Sequence, residues 1–218
     1  MTIVGSSLRR WTRSWQVRAA VLGFLMVIFA TACGGVPKTH FYTLQPPATP
    51  APNDPRTGFV LGVDRFRAPA ILRDDRIVYY VSPTQVNYYQ YHRWGSAPGT
   101  LLAEFAAQWL ESSGVFAQVR MLPVRERVDY TLDGKVTSFE EVDSEGGARV
   151  RLALALALVR TSDHKMVWSG ERRQETPLSE LGVEGVANAL NASCTQALRD
   201  MIPGLLTQVE RDFKGSGK

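Results

Sequence analysis

The chain has 218 residues, of which 44% are hydrophobic and 21% charged, a composition typical of a globular protein with one substantial core. Its formal charge of +4 originates at the N-terminus: residues 1–32 carry four arginines and no acidic residue, and the rest of the chain balances 21 basic against 21 acidic side chains. A neutral remainder argues against a nucleic-acid-binding face built on net positive charge.

The first 32 residues have the layout of a secretory signal. Arginines at positions 9, 10, 13 and 18 precede an uncharged apolar run from Ala19 to Ala30, and small residues follow it. The run is shorter than the roughly 20 residues that a stable membrane span needs. A signal peptide over residues 1–32 is therefore favoured over a retained transmembrane anchor.

Cys33 ends this segment, in the sequence "ATAC" of residues 30–33. Small residues before a cysteine at this place resemble the lipobox of bacterial lipoproteins, although leucine is more usual than Ala30 at the first position. The resemblance implies that Cys33 becomes the first residue, with diacylglycerol on its thiol and a further acyl chain such as palmitate on its amino group. Several acyl chains anchor a protein stably. Gly34 in place of an aspartate favours the periplasmic face of the outer membrane of a Gram-negative bacterium.

Other roles for Cys33 are less well supported. A disulfide with Cys194 is possible in an exported protein, but Cys194 lies on the apolar stripe of a predicted helix, where it serves as a small buried side chain. The absence of a CxxC motif and of a histidine cluster argues against a metal or redox site. We therefore expect no cofactor other than the covalent lipid.

The next segments divide the mature chain into a linker and one domain. Residues 45–58 contain five prolines, so residues 33–57 are predicted to be a lipidated cysteine with a proline-rich linker. Within it, "THFYTL" (39–44) could extend and pair with the sheet of the domain. The domain is predicted over residues 58–214.

Periodicity predicts the elements of the domain in chain order. Alternating or β-branched runs predict strands, and apolar positions spaced by three and four predict two helices. The predicted strands are 58–66, 76–81, 85–94, 115–122, 129–142, 148–160 and 166–176, and the predicted helices are 100–114 and 183–213.

This order predicts an α+β two-layer sandwich, in which a mostly antiparallel sheet carries two helices on one face. The strand over 148–160 should turn its leucines toward the helices. Its other face, with alanines at 153, 155 and 157, is either a half-solvated surface or a packing face for a partner or a second subunit.

No catalytic motif is recognisable in the chain. It contains no GxSxG, HExxH or glycine-rich phosphate loop, and its three histidines have no acidic or thiol neighbours at metal-ligand spacing. Glu140 and Glu141 are adjacent in a predicted strand, so they should point to opposite faces and form a poor acid–base pair. The sequence predicts a protein that is not an enzyme.

The most distinctive stretch is residues 77–94, which carries five of the seven tyrosines and ends in "HRW". Tyrosine and tryptophan are enriched at protein interfaces. Two interpretations remain open here: a tyrosine-rich sheet face with Trp94 filling the core, or a surface that binds a partner or lipid. The predicted partner-binding residues are Tyr88, Tyr89, Tyr91, Arg93 and Trp94.

Four stretches together resemble the ABC-type transport auxiliary lipoproteins, typified by the paraquat-inducible outer-membrane lipoprotein. They are Cys33 with "FYTL" (41–44), the segment 61–98, the segment 101–119, and the pair "DYTLDGKVTSFEEV" (129–142) and "VWSGERR" (167–173) before a long helix. The resemblance covers residues 33–213. The segment "VYYVSP" (78–83) departs from it, where the family often has a basic residue followed by threonine or serine.

The resemblance implies a non-enzymatic docking component of a lipid transport system that contributes to membrane integrity. In such systems an inner-membrane ABC transporter works with mammalian-cell-entry-type proteins that span the periplasm, and the lipoprotein, which could be a homo-oligomer, would receive them at the outer membrane. The alternatives are a general cell-envelope assembly lipoprotein and a periplasmic hydrolase. A transport partner and the outer membrane are thus the expected contacts, and nucleic acid is not.

Overall fold

The computed structural model describes residues 37–47, 54–143 and 147–215. The chain divides into two compact units, Met1–Lys38 and Thr39–Lys218, and all the strands and helices below belong to the second unit. The predicted signal peptide, Cys33, and residues 34–36 and 48–53 of the predicted linker lie outside the described residues.

The described residues form eight strands, one 3-10 turn and two helices. In chain order they are β1 His40–Tyr42, β2 Val60–Val63, the 3-10 turn Ala70–Leu72, β3 Arg76–Ser82, β4 Gln85–Trp94, α1 Pro98–Ser112, β5 Gln118–Met121, β6 Tyr130–Val142, β7 Arg149–Arg160, β8 Lys165–Pro177 and α2 Val183–Gly215.

Strand β6 is the centre of the sheet. One of its edges pairs with β7 along its whole length, and β7 pairs with β8. Its other edge is shared by two strands, with β2 beside its first residues and β3 beside its last. Beyond these, β5 extends the sheet from β2, and β4 and β1 extend it from β3. The sheet therefore extends from one edge of β6 through the long strands β7 and β8, and from the other edge through two separate sets of strands, β2–β5 and β3–β4–β1.

The predicted fold class is confirmed: a mixed α+β unit with a mostly antiparallel sheet and two helices. The long pairings β6–β7 and β7–β8 are antiparallel, as is β3–β4. Four short pairings among the described strands are parallel, including those of β2 with β5 and β6. Periodicity does not reveal strand direction, because a parallel strand and an antiparallel strand have the same two-residue repeat.

A β-bulge in β6 keeps one face of the sheet apolar. Register with β7 shifts between Val136 and Ser138, so Val136 pairs with Leu154 and, after the shift, Phe139 pairs with Leu152. Without the extra residue, Phe139 would point to the opposite face, since a shift of one residue reverses the side-chain direction. The bulge also places Glu141 opposite Val150 on the apolar face and Glu140 opposite Arg151 on the other face.

Both helices cover the apolar face. In α1 the buried positions include Leu101, Leu102, Phe105 and Leu110, and Gly114 ends the helix with φ +62°, as the predicted C-cap requires. In α2 the buried stripe runs from Val186 to Val209, and Pro203 lies on the exposed side. Neither helix among the described residues is long and apolar enough to cross a membrane.

The segment before β2 packs on the sheet more closely than a linker would. Strand β1 pairs in parallel with β4, with His40 beside His92 and Tyr42 beside Trp94. The next residues stay on the unit, because Leu44 is buried and the Gln45 amide donates to Asn191 Oδ1 of α2 at 2.9 Å. The predicted pairing of "THFYTL" with the sheet is therefore confirmed, and the proline-rich segment follows this attachment.

Candidate functional site

Five aromatic rings form a continuous cluster where β1, β3 and β4 lie side by side; we call it the aromatic cluster. The rings of His40 and His92 stack at 5.3 Å, Tyr42 lies 5.8 Å from His92, and Tyr89 contacts both His92, at 6.1 Å, and Tyr79, at 4.7 Å. The Tyr42 hydroxyl and His92 Nδ1 are 2.9 Å apart in a hydrogen bond. Contacts of this kind fix the rings relative to one another.

Glu141 ties the aromatic cluster to the centre of the sheet. The Tyr89 hydroxyl donates to Glu141 Oε2 at 2.6 Å. Burial and this bond both raise the pKa of Tyr89, so the phenol stays protonated at neutral pH. Glu141 lies opposite Val150 on the apolar face, and the cluster accordingly continues the helix-bearing face beyond the helices.

Tyr88 points to the opposite face of β4, since neighbouring side chains alternate across a strand. There the Arg76 guanidinium lies 3.8 Å from the centre of its ring, and Asp74 binds Arg76 in turn. Tyr91 is half-buried and makes no hydrogen bond or ring contact with any part of the chain that the structure describes. The predicted tyrosines thus occupy both faces of the β3–β4 pair.

The last two predicted residues differ in accessibility. Arg93 is partly exposed and forms an ion pair with Asp75 at 2.7 Å. Trp94 is 0% exposed and packs on Phe139 with ring centres 5.0 Å apart. Trp94 therefore fills the core, as one of the two interpretations of the sequence predicts, and partner binding by the tyrosines and Arg93 stays a prediction. Trp94 supports the tyrosine strands from inside and offers no surface of its own.

The second predicted contact surface is the alanine face, which consists of Ala153, Ala155 and Ala157 on β7. No helix covers it among the described residues, and the cross-strand neighbours of Ala155 are Lys135 and Glu171. Long charged side chains on β6 and β8 therefore border a row of small ones. This arrangement leaves a shallow trough along the sheet.

Glu140 is a buried carboxylate at the end of the alanine face. It is 5% exposed, and its Oε2 accepts a hydrogen bond from the Phe139 amide. Arg151 lies 3.7 Å from its Oε1 and also binds Glu175. Burial raises the pKa of Glu140, and these polar contacts offset only part of that effect.

A polar network at the other end of β6 was not predicted from the sequence. Asp212 of α2 accepts hydrogen bonds from the Tyr130 hydroxyl at 2.9 Å and from Arg160 at 2.5 Å, and Gln208 donates to its other oxygen. Burial opposes the charged form of Asp212, but these bonds outweigh it and lower its pKa. They join residues 52 and 82 positions apart, which no local pattern indicates.

The described residues contain no group of three or more histidine, cysteine, aspartate or glutamate side chains that could hold a metal ion. Cys194 is a free, fully buried thiol in the core, and burial raises its pKa. Glu140 and Glu141 point to opposite faces, so they form no acid–base pair.

The sequence model of one family, described as "ABC-type transport auxiliary lipoprotein component", matches residues 42–202. The chain belongs to this family. The match begins at the last residue of β1 and runs into α2, so it covers strands β2 to β8 and α1. A search of the curated proteins finds no match.

Solved structures share the fold. A Xanthomonas campestris protein is 24% identical, with a TM-score of 0.67 over 79% of this chain and 98% of its own. A second, uncharacterised protein is 17% identical, with a TM-score of 0.57 over 81% of this chain and 99% of its own. A PelC dodecamer from Paraburkholderia phytofirmans is 19% identical, with a TM-score of 0.43 over 69% and 90%. The first two show that the fold of this auxiliary lipoprotein recurs in other proteins.

Proposed function

We propose that this auxiliary lipoprotein is a non-enzymatic docking component, anchored by lipid on Cys33 to the periplasmic face of the outer membrane. Its partner is the periplasm-spanning, mammalian-cell-entry-type protein of an ABC-type lipid transporter. The observation that carries the proposal is the family match over residues 42–202, which begins nine residues after the lipobox cysteine. Family membership supports a role in an ABC-type transport system, and Cys33 supports attachment to a membrane.

The position of β1 supports docking close to the membrane. His40, the first residue of β1, is seven positions after Cys33, and seven residues of extended chain span at most about 25 Å. A lipid on Cys33 would therefore hold the β1–β4 edge near the headgroups. The proline-rich segment comes after β1 and so cannot lengthen this connection.

The contact residues in this proposal are Tyr88, Tyr89, Tyr91 and Arg93, which include side chains on both faces of the β3–β4 pair. The aromatic cluster and Glu141 hold Tyr89 in place before binding, Arg76 packs on Tyr88, and Asp75 pairs with Arg93. A surface that is ordered in advance loses less conformational entropy when a partner binds. Trp94 contributes from beneath by fixing β4 on Phe139.

Site-specific photo-crosslinking tests this proposal in cells that carry the full chain. One crosslinking amino acid replaces Tyr91, and the control replaces Arg199, an exposed residue on α2. We expect a transporter protein to be captured from position 91 but not from position 199, and capture to fall in the Cys33→Ala variant. Replacing Cys33 should also remove the protein from the outer-membrane fraction, and density-gradient fractionation of the same cells measures this.

Three results would contradict parts of the proposal. Capture of no transporter component from either position refutes the docking role. Equal capture from positions 91 and 199 refutes the aromatic surface as the contact. Capture of outer-membrane assembly proteins in place of transporter proteins favours the general cell-envelope role.

A further inference from the structure

A depression opens at the end of the sheet opposite the aromatic cluster, where β6 begins, β7 ends and α2 ends. Its volume is about 480 Å³. The aromatic side chains of Phe59 and Tyr130 form part of its wall, with ring centres 5.2 Å apart at a steep angle. Three arginines also line it: Arg127, Arg160 and Arg211. Neither the family nor the proposed docking role assigns a ligand to this depression.

Both carboxylates of the depression accept hydrogen bonds from within the chain. Asp212 accepts from Tyr130, Arg160 and Gln208, and one oxygen of Asp129 accepts the Val60 amide at 2.8 Å. Asp212 is thus paired with a cation, whereas Asp129 keeps its negative charge. Arg160 is fixed by Asp212 and by Asp163 at 3.0 Å.

Arg127 and Arg211 have no such partners. Among the described residues, neither forms an ion pair, a hydrogen bond or a ring contact, and both are exposed. They approach the depression from different elements, since Arg127 precedes β6 and Arg211 lies in the last turns of α2. Three arginines and two aspartates line the depression, so these side chains carry a net charge of +1.

From this we infer that the depression binds a phosphate group through Arg127 and Arg211, with Arg160 as a fixed cation behind them. Guanidinium groups present planar pairs of N–H donors that match phosphate oxygens. The C-terminal end of α2, at Gly215, opposes an anion with a partial charge of about half a unit. The net charge of +1 on the lining side chains exceeds this partial charge. The phosphate could be free or the headgroup of a lipid.

The inference goes beyond docking, and the two can fail separately, because the depression and the aromatic cluster lie at opposite ends of β6. Arg211 near a helix C-terminus is also stabilising without any ligand. A binding measurement separates this purely structural role from a ligand site. Because Arg127 and Arg211 are exposed and form no ion pair, hydrogen bond or ring contact in the described chain, replacing them should leave the fold intact.

The test is isothermal titration calorimetry on the purified full-length protein in a neutral detergent. The probes are inorganic phosphate, acetate, and dihexanoyl phosphatidic acid with dihexanoyl phosphatidylcholine as its reference. The test variant is the double substitution Arg127→Gln and Arg211→Gln. The control is Arg125→Gln with Arg199→Gln, which removes two exposed arginines outside the depression.

We expect phosphate to bind the wild type and the control alike, and to bind the test variant roughly tenfold or more weakly, since each lost charge-assisted hydrogen bond removes a strong contact. Tighter binding of phosphatidic acid than of inorganic phosphate would identify a lipid headgroup as the source, and equal binding would identify free phosphate. No phosphate binding to the wild type, equal losses in both double variants, or acetate binding as tightly as phosphate would each overturn the inference.

Discussion

The two faces of β7 are built from one strand and have different surroundings. On one face, residues from Val150 to Leu158 alternate as large apolar side chains, and all are 0–2% exposed beneath α2 and its neighbours. On the other, the alanine face has Ala155 and Ala157 half-buried among charged side chains. Side-chain size therefore marks which face the helices cover, since only large apolar side chains gain enough by burial to hold a helix.

Leu154→Ala should show the largest effect of the predictions made here. Leu154 is 1% exposed on the helix-covered face. Removing a buried leucine side chain leaves a cavity, so the free energy of unfolding should fall by about 2–5 kcal/mol. Chemical denaturation followed by circular dichroism measures it.

Two further variants test the cause of that loss. Leu154→Met nearly conserves volume and should cost less than about 1.5 kcal/mol. Leu181→Ala removes a leucine that is 92% exposed and should change stability by less than about 0.5 kcal/mol. A small effect of Leu154→Ala would mean that α2 does not depend on the leucine face of β7.

Asp212→Asn should have the second largest effect on stability, and it tests the hydrogen-bond network that joins α2 to the start of β6. The Asp212 side chain is 16% exposed and accepts charge-assisted hydrogen bonds, so its replacement should cost about 1–3 kcal/mol at pH 7. The pKa of Asp212 is lowered in the folded state. Its contribution is therefore complete above the unfolded pKa of about 3.9 and is lost as pH falls through the folded pKa.

Asp163→Asn is the matched control, because Asp163 binds the same arginine but its side chain is 45% exposed. An exposed ion pair contributes about 1 kcal/mol or less. Equal losses in the two variants, or a loss in Asp212→Asn that persists unchanged at pH 3, would show that the network at Tyr130 does not stabilise the fold.

The same network shows how far the sequence could predict the structure. The bounds of β4, 85–94, are those that periodicity predicts, and α2 begins at the predicted residue, Val183. Such signals are local. The bulge between Val136 and Ser138, the parallel pairings and the bonds of Asp212 depend on which distant strands meet, and a single sequence does not contain that information in its periodicity.

The candidate site was predicted in composition but not in orientation. The sequence identifies Tyr88, Tyr89 and Trp94 as part of an unusual aromatic run. In the structure, Tyr88 and Tyr89 lie on opposite faces of the sheet, and Trp94 lies in the core. Aromatic residues serve cores and interfaces equally well, so composition cannot separate the two uses. The contact of Tyr89 with Glu141 spans 52 positions and is likewise a product of the tertiary fold.

Glu140→Gln should change the free energy of unfolding at pH 7 by less than Asp212→Asn does, and it should raise that free energy where Asp212→Asn lowers it. Burial raises the pKa of Glu140, so its ionised form costs stability at neutral pH. The cost disappears as pH falls below the unfolded pKa of about 4.3, where the carboxyl is protonated in both states. The variant should therefore unfold at a higher denaturant concentration than the wild type at pH 7, and at the same concentration near pH 3.

Glu171→Gln serves as the control for Glu140→Gln. Glu171 lies on the same face of the sheet, but its side chain is 53% exposed and its partner Arg173 is more exposed still. It should change stability little at either pH. If Glu140→Gln destabilises the protein at pH 7, the attraction of Arg151 exceeds the cost of burial, and the carboxylate is a structural ion-pair partner.

Ala155→Gln should have the smallest effect on the isolated protein. Ala155 is half-buried, and the trough beside it extends between Lys135 and Glu171, so a longer polar side chain can reach solvent without displacing a neighbour. The free energy of unfolding should change by less than about 0.5 kcal/mol. Ala153→Gln is the matched variant, because Ala153 is only 7% exposed and the added atoms would have to displace packed side chains.

The same pair of variants sharpens the comparison of the two faces of β7. If the alanine face is a solvated surface, Ala155→Gln changes neither stability nor the sedimentation of the full-length protein. If a second copy or a partner packs there, Ala155→Gln should weaken that association while the fold stays intact, because small side chains allow close approach and a longer one prevents it. Sedimentation velocity of the two variants beside the wild type distinguishes these outcomes. A loss of stability in Ala155→Gln as large as that in Leu154→Ala would show that both faces of β7 are buried in the same way, which contradicts the comparison itself.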